Sequence, residues 1–314
     1  IETTDEMSKP VLPDRIGYRR VLGVLGSGMR AVVYRAHDPA LGVDVAVKVL
    51  AEPHAQDPKL RADFVAAVQT FRGFSGDRIV TVYDTGEFER RPYLVMELID
   101  GGALEDRLED EQTFGPAEIE WLVTELGAAI VVVHSAGLVH RDIRPGNVLI
   151  RNVAPGEQVL LTDLGLALET EQRHLAAAAE ADAYTAPEQR IPGAAIDGRT
   201  DVYSASGVIG RAAFGSEWHR ILVPNGPHQA TAPEPSGTEP LAFELRRGLS
   251  ANPAERHASI SEWIEAVSDA AIDHAAVTQT AYEAATPRRP VMRLFAAGLI
   301  VLAMVMALAT VTTQ

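Results

Sequence analysis

Between residues 14 and 98, apolar and polar positions alternate in short runs at Tyr18–Leu25, Ala31–His37, Val43–Leu50, Ile79–Thr85 and Tyr93–Leu98. A period of two is that of a strand with one buried face, and turn residues separate the runs, so five strands are predicted. Between the third and fourth the period changes. Leu60, Phe64, Val68 and Phe71 recur every three or four residues within Pro58–Phe74, which predicts a helix. Five strands and one helix make a small α/β lobe. From Ala103 to about Ala271 the spacing is mainly helical: Pro116 suits a first helical turn, and Ile119–Ala136 reads as a long apolar-rich helix. Val223–Pro240, rich in Pro, Gly and polar residues, predicts a long loop, and Trp263 with its neighbours closes the globular part.

The flanks differ. Residues 1–13 are polar, without the apolar core of a signal peptide, and predict a disordered tail. Residues 272–293 read as a polar juxtamembrane linker. Leu294–Val311 is an uncharged, mostly apolar run that as a helix reaches roughly 27 Å, near the thickness of a bilayer core. Arg288, Arg289 and Arg293 precede it and no charge follows, which places the preceding residues on the cytoplasmic side. The expectation is a single-pass anchor in the inner membrane, either as a tail or leading to an outer domain. A buried core helix fits less well, because the run has no polar face.

Composition narrows the function. The 314 residues carry a net charge of −15, and phosphate backbones want Lys and Arg, so nucleic acid is not an expected partner. There is no cysteine, which excludes disulfides, thiolate catalysis and Cys-type zinc sites. Only three of the 28 Lys and Arg residues are lysines: Lys9, Lys48 and Lys59.

Three motifs carry chemistry. Gly26-Ser27-Gly28-Met29-Arg30-Ala31-Val32-Val33 lies between two predicted strands. Glycines let backbone N–H groups approach phosphates closely, although such turns also mark ordinary hairpins. Val45-Ala46-Val47-Lys48 follows on the next strand. A lysine in a buried strand implies an anion beside it, or a side chain that snorkels to water. The third motif is His140-Arg141-Asp142-Ile143-Arg144-Pro145-Gly146-Asn147, followed by Asp163-Leu164-Gly165 and then Ala186-Pro187-Glu188. An Asp five residues before an Asn, with a second Asp on a tight Gly turn, supplies a base for a hydroxyl and oxygen ligands for Mg²⁺.

In this ordered set, over about residues 14–270, the chain resembles the eukaryotic-type protein kinase domains of bacterial membrane-anchored Ser/Thr kinases. The resemblance implies an α+β, two-lobed fold: a small β-rich N-lobe at 14–98, a mainly helical C-lobe at 99–271, and ATP between them. It implies that Lys48 holds the α- and β-phosphates, that Asp142 accepts the proton of the attacking hydroxyl, and that Asn147 and Asp163 bind Mg²⁺. Gly26, Ser27 and Gly28 would cover the phosphates and Arg144 would reach the γ-phosphate. Met96 would be the gatekeeper. The backbone of Glu97–Ile99 would meet the adenine, and Val33, Ala46 and Leu149 would sandwich it. Glu188 would pair with Arg256 and Asp201 would hold the catalytic-loop backbone. His140, Leu164 and Phe71 would form a hydrophobic column joining the lobes. Partners would be ATP and protein substrates.

Four positions depart from the family pattern. The slot for a helix Glu facing Lys48 falls on Ala67, with Asp63 one turn earlier. Arg144 stands where such kinases usually carry Lys. Ala31 replaces the third glycine. Glu180-Ala181 replaces a Gly-Thr pair expected to brace Asp142. The loop from Asp163 to Ala186 also offers few hydroxyls: Thr170, Tyr184 and Thr185. Two functions therefore stay open: a Ser/Thr kinase of low activity, or a pseudokinase serving as a nucleotide-responsive or scaffolding module.

Overall fold

A computed structural model describes residues 12–28, 31–58, 61–62, 64–65, 68, 76–109, 113–163, 183–223 and 239–285. Residues 1–274 form one compact unit and 275–314 a second. Ala67, Asp63, Phe71, Leu164, the Glu180-Ala181 pair and the expected 294–311 span lie outside the described residues. No helix among the described residues is long and apolar enough to cross a membrane.

The first lobe is a six-stranded antiparallel sheet in the order β1-β2-β3-β4-β6-β5. Its strands are β1 (Arg15–Ile16), β2 (Arg19–Ser27), β3 (Ala31–Asp38), β4 (Val43–Leu50), β5 (Val82–Phe88) and β6 (Arg91–Glu97). Alternation along β4 decides what each face does. Val45, Val47 and Val49 join Ile16, Val21, Tyr34, Ala36, Tyr93 and Val95 in one cluster. Ala46 and Leu50 point the other way, into a cluster with Phe64, Val68, Val80, Leu94 and Met96. Lys48 shares that second face by parity. A short helix α1 (Glu52–Ala55) follows β4. The described residues at 58, 61–62, 64–65 and 68 are helical, as the spacing predicts.

The strand predicted from Ile79 begins later, at Val82. Ile79 makes only an isolated bridge with Leu161, and Val80 N–H donates to Leu161 O at 3.0 Å. The Arg78 C=O and the Val80 N–H are thus taken by Leu161 of the other lobe before the sheet can use them.

The second lobe contains α2 (Leu104–Leu108), α3 (Pro116–Ser135), the hairpin β7 (Val148–Val153) with β8 (Gly156–Leu161), α4 (Gly198–Phe214), α5 (Trp218–Leu222), α6 (Glu239–Gly248) and α7 (Ile260–Ala285). Pro116 sits in the first turn of α3, and Glu118 accepts from Gly115 N–H at 2.8 Å, capping it. Ile119, Leu122, Val123, Leu126, Ile130 and Val133 are buried along one stripe. Helix α4 is buried nearly all round, which makes it the centre of the lobe. Trp263 on α7 is fully buried, and its Nε1–H donates to Ser206 Oγ of α4 at 2.9 Å. Pro240, read as the end of a loop, lies in the first turn of α6, where a missing N–H costs nothing. The last helix continues through residues 272–285, inside the stretch read as a linker.

The lobes meet through side chains from both. Ile99, Leu160 and the half-buried Leu149 complete the cluster that contains Ala46 and Met96. Gly101 lets the crossing chain approach β7: a Cβ there would stand 2.2 Å from Ile150 O. Ile150 N–H donates to Gly102 O at 2.9 Å, and Ala103 bridges Leu149.

Candidate active site

Strand register assembles the first half of the site. Gly26 pairs with Val33, Val33 with Lys48, and Lys48 with Leu94, so glycine turn and lysine lie in one cross-strand row. Two strand spacings put them about 10 Å apart. A register shift between Val24 and Gly26 marks a bulge at Leu25, which bends β2 just before the glycines. Gly28 N–H closes the turn on Ala31 O at 3.0 Å. The chain's own packing does not demand these glycines. A Cβ at Gly26 would meet nothing within 4 Å, and one at Gly28 only Ala31 O at 4.0 Å. Ser27 pairs with Val32 beside them. A second row runs through Ala46 and Met96, and Val33 and Leu149 pack against the cluster that contains both. The three residues expected around an adenine are therefore together, with Met96 behind them. Met96 accepts a hydrogen bond at its sulfur from Thr162 Oγ1 at 3.7 Å. Glu97 ends β6, where its carboxylate pairs with Arg151 at 2.7 Å, and Ile99 is buried in the seam.

The second half hangs from α4. Asp201 is fully buried, and a buried carboxylate needs partners. Its Oδ2 accepts from His140 N–H and from His134 Nε2–H, and its Oδ1 from Arg141 N–H, each at 2.8 Å. This bears out the sequence reading for Asp201 and adds His134, in the last turn of α3, which sequence reasoning missed. His140 is also fully buried. Its Nδ1 accepts from Asp142 N–H at 3.3 Å, so its Nε2 carries the proton given to Thr162 O at 3.0 Å. One imidazole thus ties the loop before Asp142 to the strand leading to Asp163.

Asn147 Nδ2 donates to both Asp142 O (2.8 Å) and Asp142 Oδ2 (3.0 Å). Both amide hydrogens are used, which leaves Oδ1 as the atom able to meet a cation. Asp163 Oδ2 contacts Lys48 Nζ, joining residues 115 positions apart, with the two side chains 9% and 17% exposed. Among the described residues four non-glycines have positive φ, and two flank this site: Arg141 at 70° and Asp163 at 65°. Such conformations persist where the surroundings over-determine them, and they collect at functional sites. Arg144 lies 3.8 Å from Glu105 of α2 and is one-third exposed. Below the loop, Arg256 grips Glu188 with two bonds of 2.7 and 2.8 Å. Burial pushes the Glu188 carboxyl up, but Arg256 and Thr200 outweigh it and hold the group below its ordinary value.

Residues 19–220 match the protein kinase domain family. The chain belongs to that family. It is 36% identical over 220 residues to the serine/threonine-protein kinase PknJ of Mycobacterium tuberculosis, covering 69% of this chain and 35% of that one. It is 32% identical over 264 residues to the serine/threonine-protein kinase PknB of Mycobacterium leprae, covering 81% and 40%. The aligned part is thus less than half of either relative. Among solved structures, a double mutant of the kinase domain of Mycobacterium tuberculosis PknI superposes with a TM-score of 0.66 at 26% identity, covering 81% of this chain and 96% of that one. The two-lobed kinase fold is shared over that aligned part.

Proposed function

We propose that this domain is a serine/threonine protein kinase that uses Mg-ATP, and that the observation carrying the reading is the contact of Lys48 with Asp163 between the lobes. That contact brings a strand lysine, read as a phosphate anchor, to a carboxylate read as a metal ligand. An amide oxygen and a carboxylate are hard donors. Two of them suit Mg²⁺, which completes its shell with phosphate oxygens and water. Asn147 Oδ1 and Asp163 would hold the ion, which when bound neutralises charge on the phosphates. Lys48 and the backbone of the Gly26–Gly28 turn position the phosphates, with Arg144 a further cation for the γ-phosphate. Val33, Ala46, Met96, Leu149 and the backbone of Glu97–Ile99 enclose the base. Asp142, fixed by Asn147, orients a substrate hydroxyl and takes its proton. The hydroxyl oxygen forms a bond to the γ-phosphorus, the bridging P–O bond breaks, and ADP leaves.

The rate we propose is low, because Ala67 fills the slot for the acidic partner of Lys48. Loss of a comparable oriented electrostatic contact costs on the order of 10²–10³ in rate. The pseudokinase alternative rests on Ala67 and Ala181 alone. Membrane tethering belongs to the same proposal and is supported by the uncharged 294–311 run behind Arg288, Arg289 and Arg293.

The test is transfer of labelled γ-phosphate from Mg-ATP to the protein itself or to a generic basic protein, with phosphoamino-acid analysis. Transfer to Ser or Thr that disappears in both Lys48→Met and Asp142→Asn supports the reading. Nucleotide binding without transfer in the unsubstituted chain overturns it in favour of the alternative. Ala67→Glu should raise the rate, and an unchanged rate would remove the explanation for slowness. Tethering predicts that the full chain resists alkaline extraction from membranes and that a chain ending at residue 285 does not. Equal extraction of both would refute it.

A further inference from the structure

Asp142 can act only if its side chain is aimed, and its aim is set by the peptide plane that joins it to Arg141. That plane is held at both polar atoms. The N–H, on Asp142, donates to His140 Nδ1 at 3.3 Å. The C=O, on Arg141, accepts from Gln189 Nε2 at 2.9 Å. Gln189 lies in the 3₁₀ turn Pro187–Arg190 and is only 6% exposed. Its Oε1 accepts from Ala186 N–H at 3.3 Å. The two contacts have opposite polarity, so one amide orientation alone satisfies both. Its neighbour Glu188 is clamped by Arg256, which fixes the turn from which the amide reaches. Arg141 itself is left-handed at φ 70° and would relax toward a commoner conformation if either end of its peptide were released.

We infer that Gln189 is a positioning residue for Asp142, coupling the Ala186–Arg190 segment to the catalytic loop through the Arg141 carbonyl. This rests on the kinase reading above. It predicts that the loop geometry responds to that segment: any shift of the Glu188 clamp is felt at the Arg141 peptide.

The test uses two variants of the full chain. Gln189→Met keeps length and removes both polar atoms. Gln189→Glu keeps the acceptor for Ala186 N–H and lacks the donor when ionised. Amide hydrogen exchange reads the strap without reference to activity. The expected result is exchange about tenfold faster at Arg141 and Asp142 in both variants, with α3 unchanged. The accompanying kinetic result is kcat lowered about tenfold with KM for ATP unchanged. Should Gln189→Met loosen α3 as well, the fold has suffered and Gln189→Glu decides. Unchanged exchange at Arg141 and Asp142 in a folded variant overturns the inference, and so does faster exchange with unaltered kcat. If the unsubstituted chain transfers no phosphate, the proposed function falls, and the exchange measurement still decides whether Gln189 holds the loop.

Discussion

Replacing Arg256 by Met should be among the most damaging single changes in the helical lobe. The guanidinium is buried and makes two bonds to Glu188, one to Arg199 O at 2.9 Å and one to Ser250 O at 2.8 Å. It also lies 4.9 Å from the centre of the Tyr203 ring. Methionine refills the apolar stem but strands Glu188, whose side chain is 7% exposed and keeps its own backbone N–H and Thr200 Oγ1, the latter at 2.9 Å, but no cation. Breaking one side of a buried pair costs about 3–5 kcal/mol, because the other charge stays desolvated. For a domain of this size that corresponds to roughly 6–20 °C in Tm.

The sign with pH is specific. In the unsubstituted protein the Glu188 carboxyl lies below its unfolded value, so its contribution is complete above about pH 4.3 and is lost only as pH falls further. In the variant burial is opposed only by the neutral donors, the Glu188 backbone N–H and Thr200, so the carboxyl rises and protonation relieves the stranded charge. The deficit should therefore be full at pH 7.5 and smaller at pH 5.0. Urea titration followed by the fluorescence of the buried Trp218 and Trp263 measures both. Adding Glu188→Gln should recover part of the loss at pH 7.5. A deficit below about 1 kcal/mol, the range of exposed pairs, or one equal at the two pH values, would refute the argument.

His257 is fully buried against Glu244 of α6, at 3.0 Å, with Arg247 and Glu262 nearby. Burial lowers its pKa further than Glu244 raises it, so stability should fall as pH drops below about 6.5, and His257→Gln should flatten that slope in urea titrations at stepped pH. A variant slope as steep as the original would discard the assignment. Gly101→Ala would place its Cβ 2.2 Å from Ile150 O, a backbone atom that cannot rotate away, and should cost about 1–3 kcal/mol by thermal unfolding. It should also weaken nucleotide binding measured by calorimetry, since Leu149 sits on the displaced strand. Undiminished stability would show that the lobe crossing tolerates the shift.

By itself the sequence determined what depends on near neighbours and residue type. The bounds of β3, β4 and α3 follow from period and a first-turn proline, and the parity of β4 already put Lys48 on the face of Ala46. The run from His140 to Asn147 was legible because its residues are consecutive. Tertiary structure decided what depends on groups far apart in the chain. Ile79 was lost from its strand to Leu161, and the bulge at Leu25 interrupts a period that sequence reads as continuous. His134 and Gln189 have ordinary helix and turn neighbours. Their roles arise only because α4 carries Asp201 to one and the clamp of Arg256 carries the other to Arg141. A hydrogen bond needs its partners within about 3 Å, and for residues dozens of positions apart only the packed core sets that distance.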